Sequence, residues 1–183
     1  QRAWATDLSG IEEPVREIND LISAVASKVA DHGDGLDQGD NPSLLVQLAR
    51  VGADLYSKLY LDQLQQLTAG GLDVGSEAVT HVQVVSTRSD ALVPIEFFYD
   101  YRPPDDGARV CPQHQQALAE GRCPDSCEGR AEPAAYVCPM GFWSLKKVIE
   151  RHFYSSAVGK PDGAELFGQA EPTIQRERLQ LRQ

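Results

Sequence analysis

Between residues 11 and 30, IEEPVREINDLISAVASKVA, the apolar side chains Ile11, Val15, Ile18, Ile22, Val25 and Val29 recur at steps of three and four. That spacing predicts an amphipathic helix of about five turns. Glu12, Glu13 and Pro14 suit its first turn, where acids meet the positive end of the helix dipole and proline forfeits no hydrogen bond. DHGDGLDQGD follows as a loop rich in Gly and Asp. Asn41-Pro42 reads as the N-cap and first position of a second helix, with Leu45, Leu48, Val51, Leu55 and Leu59 as its apolar series. Helical character is expected to run on, past a break near Tyr60, through Leu64 and Leu67 to a stop at Gly70-Gly71.

The period then changes. VTHVQVVST, residues 79–87, is β-branched and alternating, and predicts a strand. In ALVPIEFFYD, Pro94 has no N–H to give a ladder, so it belongs at the end of any strand there. Residues 102–135 gather Pro, Gly, Asp and Glu with little hydrophobic period. So long an irregular tract is unusual inside a compact domain and needs something to order it. AAYVCPMGFWSLKKVIERHFY regains apolar character; we read residues 142–150 as a strand, with a helix from about residue 144 as the rival. SSAVGKPDGAELFGQAEP is a further loop, and PTIQRERLQLRQ resumes a regular pattern that meets no capping or breaking residue. No internal repeat or low-complexity tract appears.

At 183 residues the chain fits one domain with one sizeable core. Seventeen Lys and Arg face twenty-seven Asp and Glu, a net charge of −10. Phosphate backbones repel such a surface, and no basic stripe with interleaved aromatics offsets it, so nucleic acid is not the expected partner. No apolar stretch approaches the roughly 20 residues of a membrane span. No basic segment followed by an apolar one opens the chain, and the expected compartment is the cytoplasm.

All four cysteines lie within CPQHQQALAEGRCPDSCEGRAEPAAYVCP, residues 111–139. Eleven residues separate Cys111 from Cys123, three separate Cys123 from Cys127, and ten separate Cys127 from Cys138. Zinc takes four soft ligands tetrahedrally, and the short pair lets two thiolates from one turn reach one ion. Cys111 and Cys138 each precede a proline, and Gly121 and Gly129 give backbone freedom around the central pair. A structural zinc held by Cys111, Cys123, Cys127 and Cys138 would make residues 102–139 a zinc-binding insertion and offset their ordering entropy. Two disulfides and free thiols are the competing readings, and His114 is an alternative fourth ligand through Cys111-x-x-His114. With four protein ligands no position is left for water, so such a zinc is structural and not catalytic.

No phosphate-cradling glycine loop, nucleophile elbow, H-E-x-x-H or EF-hand pattern occurs. Every cysteine belongs to the proposed cluster, so no catalytic residue is assigned. His81 is placed in a strand, packed or at an edge. His152 is a surface residue within reach of Glu150 or Glu96. Tyr99, Tyr101, Phe142 and Trp143 are either core or, if exposed, a peptide-binding patch.

LVQLARVGADLYSKLY followed by THVQVVSTRSDALVPIEFFYDYRPP resembles the front half of the CHAT family, bacterial caspase-like peptidase domains. The resemblance rests on Gly52, Leu55 and Tyr56 in a G-x-x-L-Y helix, and then on Pro94, Ile95, Glu96, Phe97, Phe98, Tyr99 and Asp100. CPMGFWSLKKVIER looks like a cysteine-containing insertion returning to the sheet, and the likeness spans roughly residues 43–152. It implies a three-layer α/β sheet of caspase type with flanking helices, incomplete here, and with the cysteine lobe added. Glu96 among aromatics would need backbone amides or an arginine as partner if buried. In that family the catalytic His-Gly and the nucleophilic Cys follow this region, and neither falls on a residue of this chain. His32-Gly33 is no substitute, because it ends a helix where the family's histidine follows a buried strand. The resemblance therefore implies an N-terminal, non-catalytic portion of such a domain, or a relative without the dyad, whose parent is a cysteine endopeptidase or a signalling protein. Its partners would be a protein or peptide: the remainder of its own domain or a second copy. A self-contained zinc-stabilised interaction module is the alternative.

Overall fold

The computed structural model describes residues 10–33, 35–64, 75–86, 92–125 and 127–153. The first helix, α1 (Glu12–Ala26), carries Glu12 and Glu13 in its opening turn, and Glu12 Oε2 accepts the Gly10 N–H at 2.8 Å. It is shorter than the sequence period implies. The Ser27 hydroxyl donates back to the Ala24 carbonyl at 2.7 Å, competing with the helix ladder, and a 3-10 turn (Val29–His32) follows. Only the first half of its apolar stripe is covered: Ile11, Pro14 and Ile18 are buried, whereas Ile22 and Val29 are exposed.

Helix α2 (Asn41–Tyr56) begins one residue earlier than a capping Asn41 would require. Asp40 is the cap, without a side-chain bond, and the Asn41 amide serves the preceding loop instead. Its Nδ2 donates to the Gly35 carbonyl at 2.6 Å and its Oδ1 meets His32 Nδ1 at 2.6 Å. At Ser57 the helix widens into a π-helical segment (Ser57–Leu64), the break expected near Tyr60 but three residues earlier. Leu67 and Gly70-Gly71 lie outside the described residues. The widened turn stacks Tyr56 on Tyr60 with ring centroids 4.9 Å apart. Tyr60 accepts the Gly75 N–H at 2.8 Å, tying the helix to the approach of the first strand.

Strand β1 (His81–Ser86) falls where alternation placed it and pairs in parallel with β4 (Val148–Phe153), from His81↔Val148 to Ser86↔Phe153. Parallel partners need a long crossover, and the whole cysteine-rich tract lies within this one. The tract holds a second parallel pair, β2 (Arg109–Val110) with β3 (Tyr136–Val137), and two short helices, α3 (His114–Glu120) and α4 (Glu128–Ala131). The strand read for residues 142–150 is corrected. A 3-10 turn (Pro139–Gly141) leads into the one-turn helix α5 (Trp143–Lys146), and extended structure starts only at Val148. The described part of ALVPIEFFYD, residues 92–100, forms a 3-10 turn (Ile95–Phe97) and an isolated antiparallel bridge, Tyr99↔Phe142. The residues 154–183, with their expected loop and regular terminal pattern, lie outside the described residues.

The fold is mixed α/β. Val82, Val84 and Ile149 turn one face of the β1·β4 pair onto a core of Ile18, Leu55, Leu59, Phe98 and Trp143. His81, Gln83, Val148 and Glu150 face outward and are exposed, so the described residues form two layers rather than three. Trp143 is the hub, its ring 4.9 Å from Phe98, 5.8 Å from Tyr60 and 6.0 Å from Tyr56, with Nε1 donating to Asp100 at 3.0 Å. Such edge-on aromatic pairs add about 0.5–1.5 kcal/mol each beyond the area they bury. Tyr99, Phe142 and Trp143 are all buried, and Tyr101 half-buried, so the peptide-binding patch entertained for them does not exist.

Two glycines fix how α2 meets the segment beneath it. A Cβ on Gly52 would stand 2.1 Å from the Phe97 carbonyl oxygen, and Tyr99 N–H donates to the Gly52 carbonyl at 3.3 Å. A Cβ on Gly141 would stand 2.2 Å from the Tyr99 ring. The close approaches bring the Tyr99 hydroxyl to the cysteine lobe.

Candidate metal centre

The sequence builds the lobe by using one short pattern twice. Arg109-Val110-Cys111-Pro112 and Tyr136-Val137-Cys138-Pro139 share Val-Cys-Pro, and the parallel ladder sets Val110 opposite Val137. Cys111 N–H continues the ladder onto the Val137 carbonyl at 2.9 Å, so the two Cys-Pro turns leave the same end of the pair side by side. This three-residue repeat is the signal that a search for longer repeats passes over.

Each turn aims a backbone N–H back at its own sulfur. The N–H of Gln113, two residues after Cys111, and that of Met140, two residues after Cys138, hydrogen-bond the respective thiols. Proline between them has no N–H to compete and holds φ for the turn. The Gly129 N–H gives Cys111 a second backbone donor, and a Cβ at Gly129 would sit 3.4 Å from the Cys111 sulfur. The Cys138 N–H is itself bound by the Tyr99 hydroxyl at 3.2 Å.

The remaining two cysteines lie between the short helices, Cys123 after α3 and Cys127 before α4. Helix α3 stops at Gly121 in the left-handed region, φ +66°, and the chain reverses into Cys123. Cys127 caps α4. All four cysteines are free and buried. The sulfurs of Cys111, Cys127 and Cys138 lie within 4.8 Å of one another. Cys111 Sγ is 3.3 Å from Cys127 Sγ, and Cys123 Sγ is 2.9 Å from Cys138 Sγ. Both separations far exceed a disulfide bond of about 2.05 Å.

Burial pushes the thiols of Cys111, Cys123 and Cys138 above the ordinary cysteine value, most strongly for Cys138. At Cys123 this outweighs hydrogen bonds from Cys138 and Tyr101 that favour the thiolate. A divalent ion would invert that balance, because a coordinated thiol is deprotonated outright. Three buried cysteines thus lie close enough to hold a metal ion, with the fourth sulfur against one of them. Four sulfurs at ~2.3 Å from one zinc stand about 3.8 Å apart, so the pairs need open by under about 1 Å. An all-sulfur donor set with backbone N–H groups on the sulfurs suits zinc chemically.

His114 is buried beside this cluster, yet its Nδ1 meets the Cys111 carbonyl at 3.0 Å and its Nε2 lies 4.0 Å from Asp37. It braces the lobe against the 35–40 loop and is not gathered with the sulfurs. His81 is exposed at the start of β1, with Nδ1 2.9 Å from the Thr80 hydroxyl. His152 is half-buried and 3.9 Å from Glu150. Glu96 has the arginine its setting demanded: Arg151 Nε donates to Oε1 at 2.6 Å and Arg151 Nη2 to Oε2. His32 is engaged by Asn41, its Nδ1 2.6 Å from the amide oxygen.

No family model, curated protein or solved structure matches this chain. No described helix is long and apolar enough to cross a membrane.

Proposed function

We propose that this chain is a non-catalytic structural and protein-binding portion of a CHAT-like, bacterial caspase-type domain, stapled by one zinc bound to Cys111, Cys123, Cys127 and Cys138. The observation that carries the zinc is the paired Val-Cys-Pro ladder, which delivers two sulfurs to one end while α3 and α4 return the other two. Cys111 and Cys138 are wholly buried and their tract has little other core, so one ion replaces a hydrophobic centre there. The ion carries no reaction in this reading.

The CHAT reading is supported by the parallel pairing of β1 with β4 across the lobe and by the packing of Gly52, Ile95 and Phe98 at the residues that carry the resemblance. The function that follows is association: two parallel strands with one exposed face, formed by His81, Gln83, Val148 and Glu150, call for more sheet or another layer, from the rest of the domain or from a second copy. The alternative, a self-contained zinc-stabilised interaction module, is favoured by the two-layer packing and would bind partners through that face rather than through the buried aromatics.

Elemental analysis with native alkylation tests the zinc reading. One zinc per chain with four protected thiols supports it; full alkylation with no bound metal refutes it. Peptidase assays on the chain should show no turnover. Cleavage lost on Cys138→Ala would overturn the non-catalytic reading.

A further inference from the structure

We propose that Tyr101 is a positioning residue of the metal centre, whose hydroxyl hydrogen-bonds the Cys123 sulfur and so fixes its place and its electron density around a bound ion. The inference rests on the zinc reading and extends it past the four ligands. The sulfurs are not served alike. Cys111 receives backbone N–H groups from Gln113 and Gly129, and Cys138 receives one from Met140. The hydrogen bonds that favour a thiolate at Cys123 come from side chains, those of Cys138 and Tyr101. A coordinated thiol has lost its proton. Cys138, itself a proposed ligand, then has nothing to donate, and of the two donors Tyr101 alone keeps its proton.

The ring is placed for that task. Tyr99 and Tyr101 both turn toward the lobe: the Tyr99 hydroxyl accepts the Cys138 N–H at 3.2 Å, and Tyr101 packs against the cysteine cluster. Asp100 between them turns to Trp143 and Lys146 instead. The Tyr101 ring is held on two sides, edge-on to Tyr99 with centroids 5.9 Å apart and with Lys146 Nζ 5.0 Å from its centroid. Lys146 is fixed in turn by Asp100 Oδ1 at 2.5 Å. A cation held against a π-face draws electron density toward itself, which strengthens the phenol as a donor.

Two tyrosines on one segment thus divide the task. Tyr99 orients the Cys138 turn through its backbone, and Tyr101 reaches a sulfur directly. Groups that hydrogen-bond a metal's ligands typically change its affinity about 10- to 100-fold when removed. A hydrogen bond on a ligating sulfur also withdraws electron density from it, which raises the energy of charge transfer from sulfur to metal.

The full chain and its Tyr101→Phe and Tyr136→Phe variants are loaded with cobalt(II), a coloured stand-in for zinc, and zinc affinity is measured by chelator competition. Phenylalanine keeps the ring and removes only the hydroxyl. Tyr101→Phe should bind zinc about 10- to 100-fold more weakly and move the sulfur-to-cobalt band to longer wavelength. Fluorotyrosine at position 101, a stronger donor of nearly the same shape, should move the band the other way, and it serves if the phenylalanine variant fails to fold. Tyr136→Phe is the control and should match the parent in both measurements, because its hydroxyl meets Arg109 Nη2 at 3.0 Å. An unmoved band in either position-101 variant overturns the proposal, since lost packing weakens binding without altering the sulfur's electrons. So does an equal shift in Tyr136→Phe. If the parent chain takes up neither metal, the zinc reading falls and this inference with it. Metal uptake that Tyr101→Phe leaves unaltered overturns this inference alone.

Discussion

Val110 and Val137 stand opposite each other in a two-residue parallel ladder, and the next residue on each strand is a buried cysteine followed by proline. So short a ladder is weak by itself, and under the proposed zinc reading the sulfurs it delivers hold its end together. Cys138→Ser should therefore reduce bound zinc from one per chain to a small fraction. It should cost on the order of 3 kcal/mol or more, a share of the ~10–16 kcal/mol that a structural zinc supplies in small peptides. Metal analysis with hydrogen exchange checks this. Protection should vanish across residues 109–139 and persist in α2. Full zinc content in the variant would remove Cys138 from the ligand set.

Removing the metal should separate the two halves of the structure. The core around Trp143, Phe98 and Leu55 is apolar and needs no ion, whereas the cysteine cluster has few other buried apolar side chains of its own. Chelator should thus loosen the 109–139 tract while the aromatic near-ultraviolet signal of Trp143 is largely kept. Reducing agent alone should do neither. Unfolding by reductant without chelator would instead indicate disulfides.

The Tyr99 ring lies where a Gly141 side chain would be, and its hydroxyl binds the Cys138 N–H. Gly141→Ala drives a methyl to 2.2 Å from that ring, which must move. The expected cost is about 1–3 kcal/mol, the range for overpacking a filled core. Weaker zinc binding should accompany it, because Tyr99 fixes the Cys138 turn. Thermal unfolding and zinc competition measure the two effects. A change in stability with unaltered metal affinity would uncouple Tyr99 from the site.

How much of this was legible beforehand depended on how local each cause is. The α1 and α2 stripes and the β1 alternation showed in the period, because one buried face needs nothing but spacing. The cysteine cluster showed in spacing too: all four cysteines fall within residues 111–138, and the sulfurs of three of them gather within 4.8 Å of one another. Glu96 announced a need for a cation, and Arg151 supplies it from 55 residues away. What local pattern missed was set by contacts distant in sequence. Ile95–Phe97 has strand-like residues but bends into a 3-10 turn where Phe97 meets Gly52 of α2. Likewise Trp143–Lys146 coils once because Trp143 must enter the aromatic core while Lys146 reaches Asp100 at 2.5 Å. The widening at Ser57 has no marker in the sequence pattern.

Glu96 gives the fold an acid limb. Burial raises its pKa, but the Arg151 hydrogen bonds and charge outweigh that, so the net value falls below the usual 4.5. A carboxylate depressed in the folded state contributes stability that is fully present above the unfolded pKa and lost as pH falls through the folded one. Stability should decline below about pH 4.5 from this pair, with an amplitude of about 1 kcal/mol once partial solvent screening is allowed for. Glu96→Gln should flatten that part of the curve. Denaturation midpoints at several pH values decide it, and an undiminished slope in the variant would assign the acid limb to other carboxylates.

Zinc affinity should itself depend on pH, in the opposite sense to a simple surface ion pair screened by salt. Each ligand must lose a proton, and burial holds the Cys111, Cys123 and Cys138 thiols above their ordinary value of 9.0 until a cation arrives. Near neutral pH these cysteines start protonated, so binding one ion expels more than one proton. Affinity should then climb by more than tenfold per pH unit between about pH 6 and 8. Competition with a chelator of known pH response gives the slope, and calorimetry in buffers of different ionisation heat counts the protons independently. A slope near zero would mean that the sulfurs are not the ligands, because no set of buried neutral thiols can take up zinc without releasing acid.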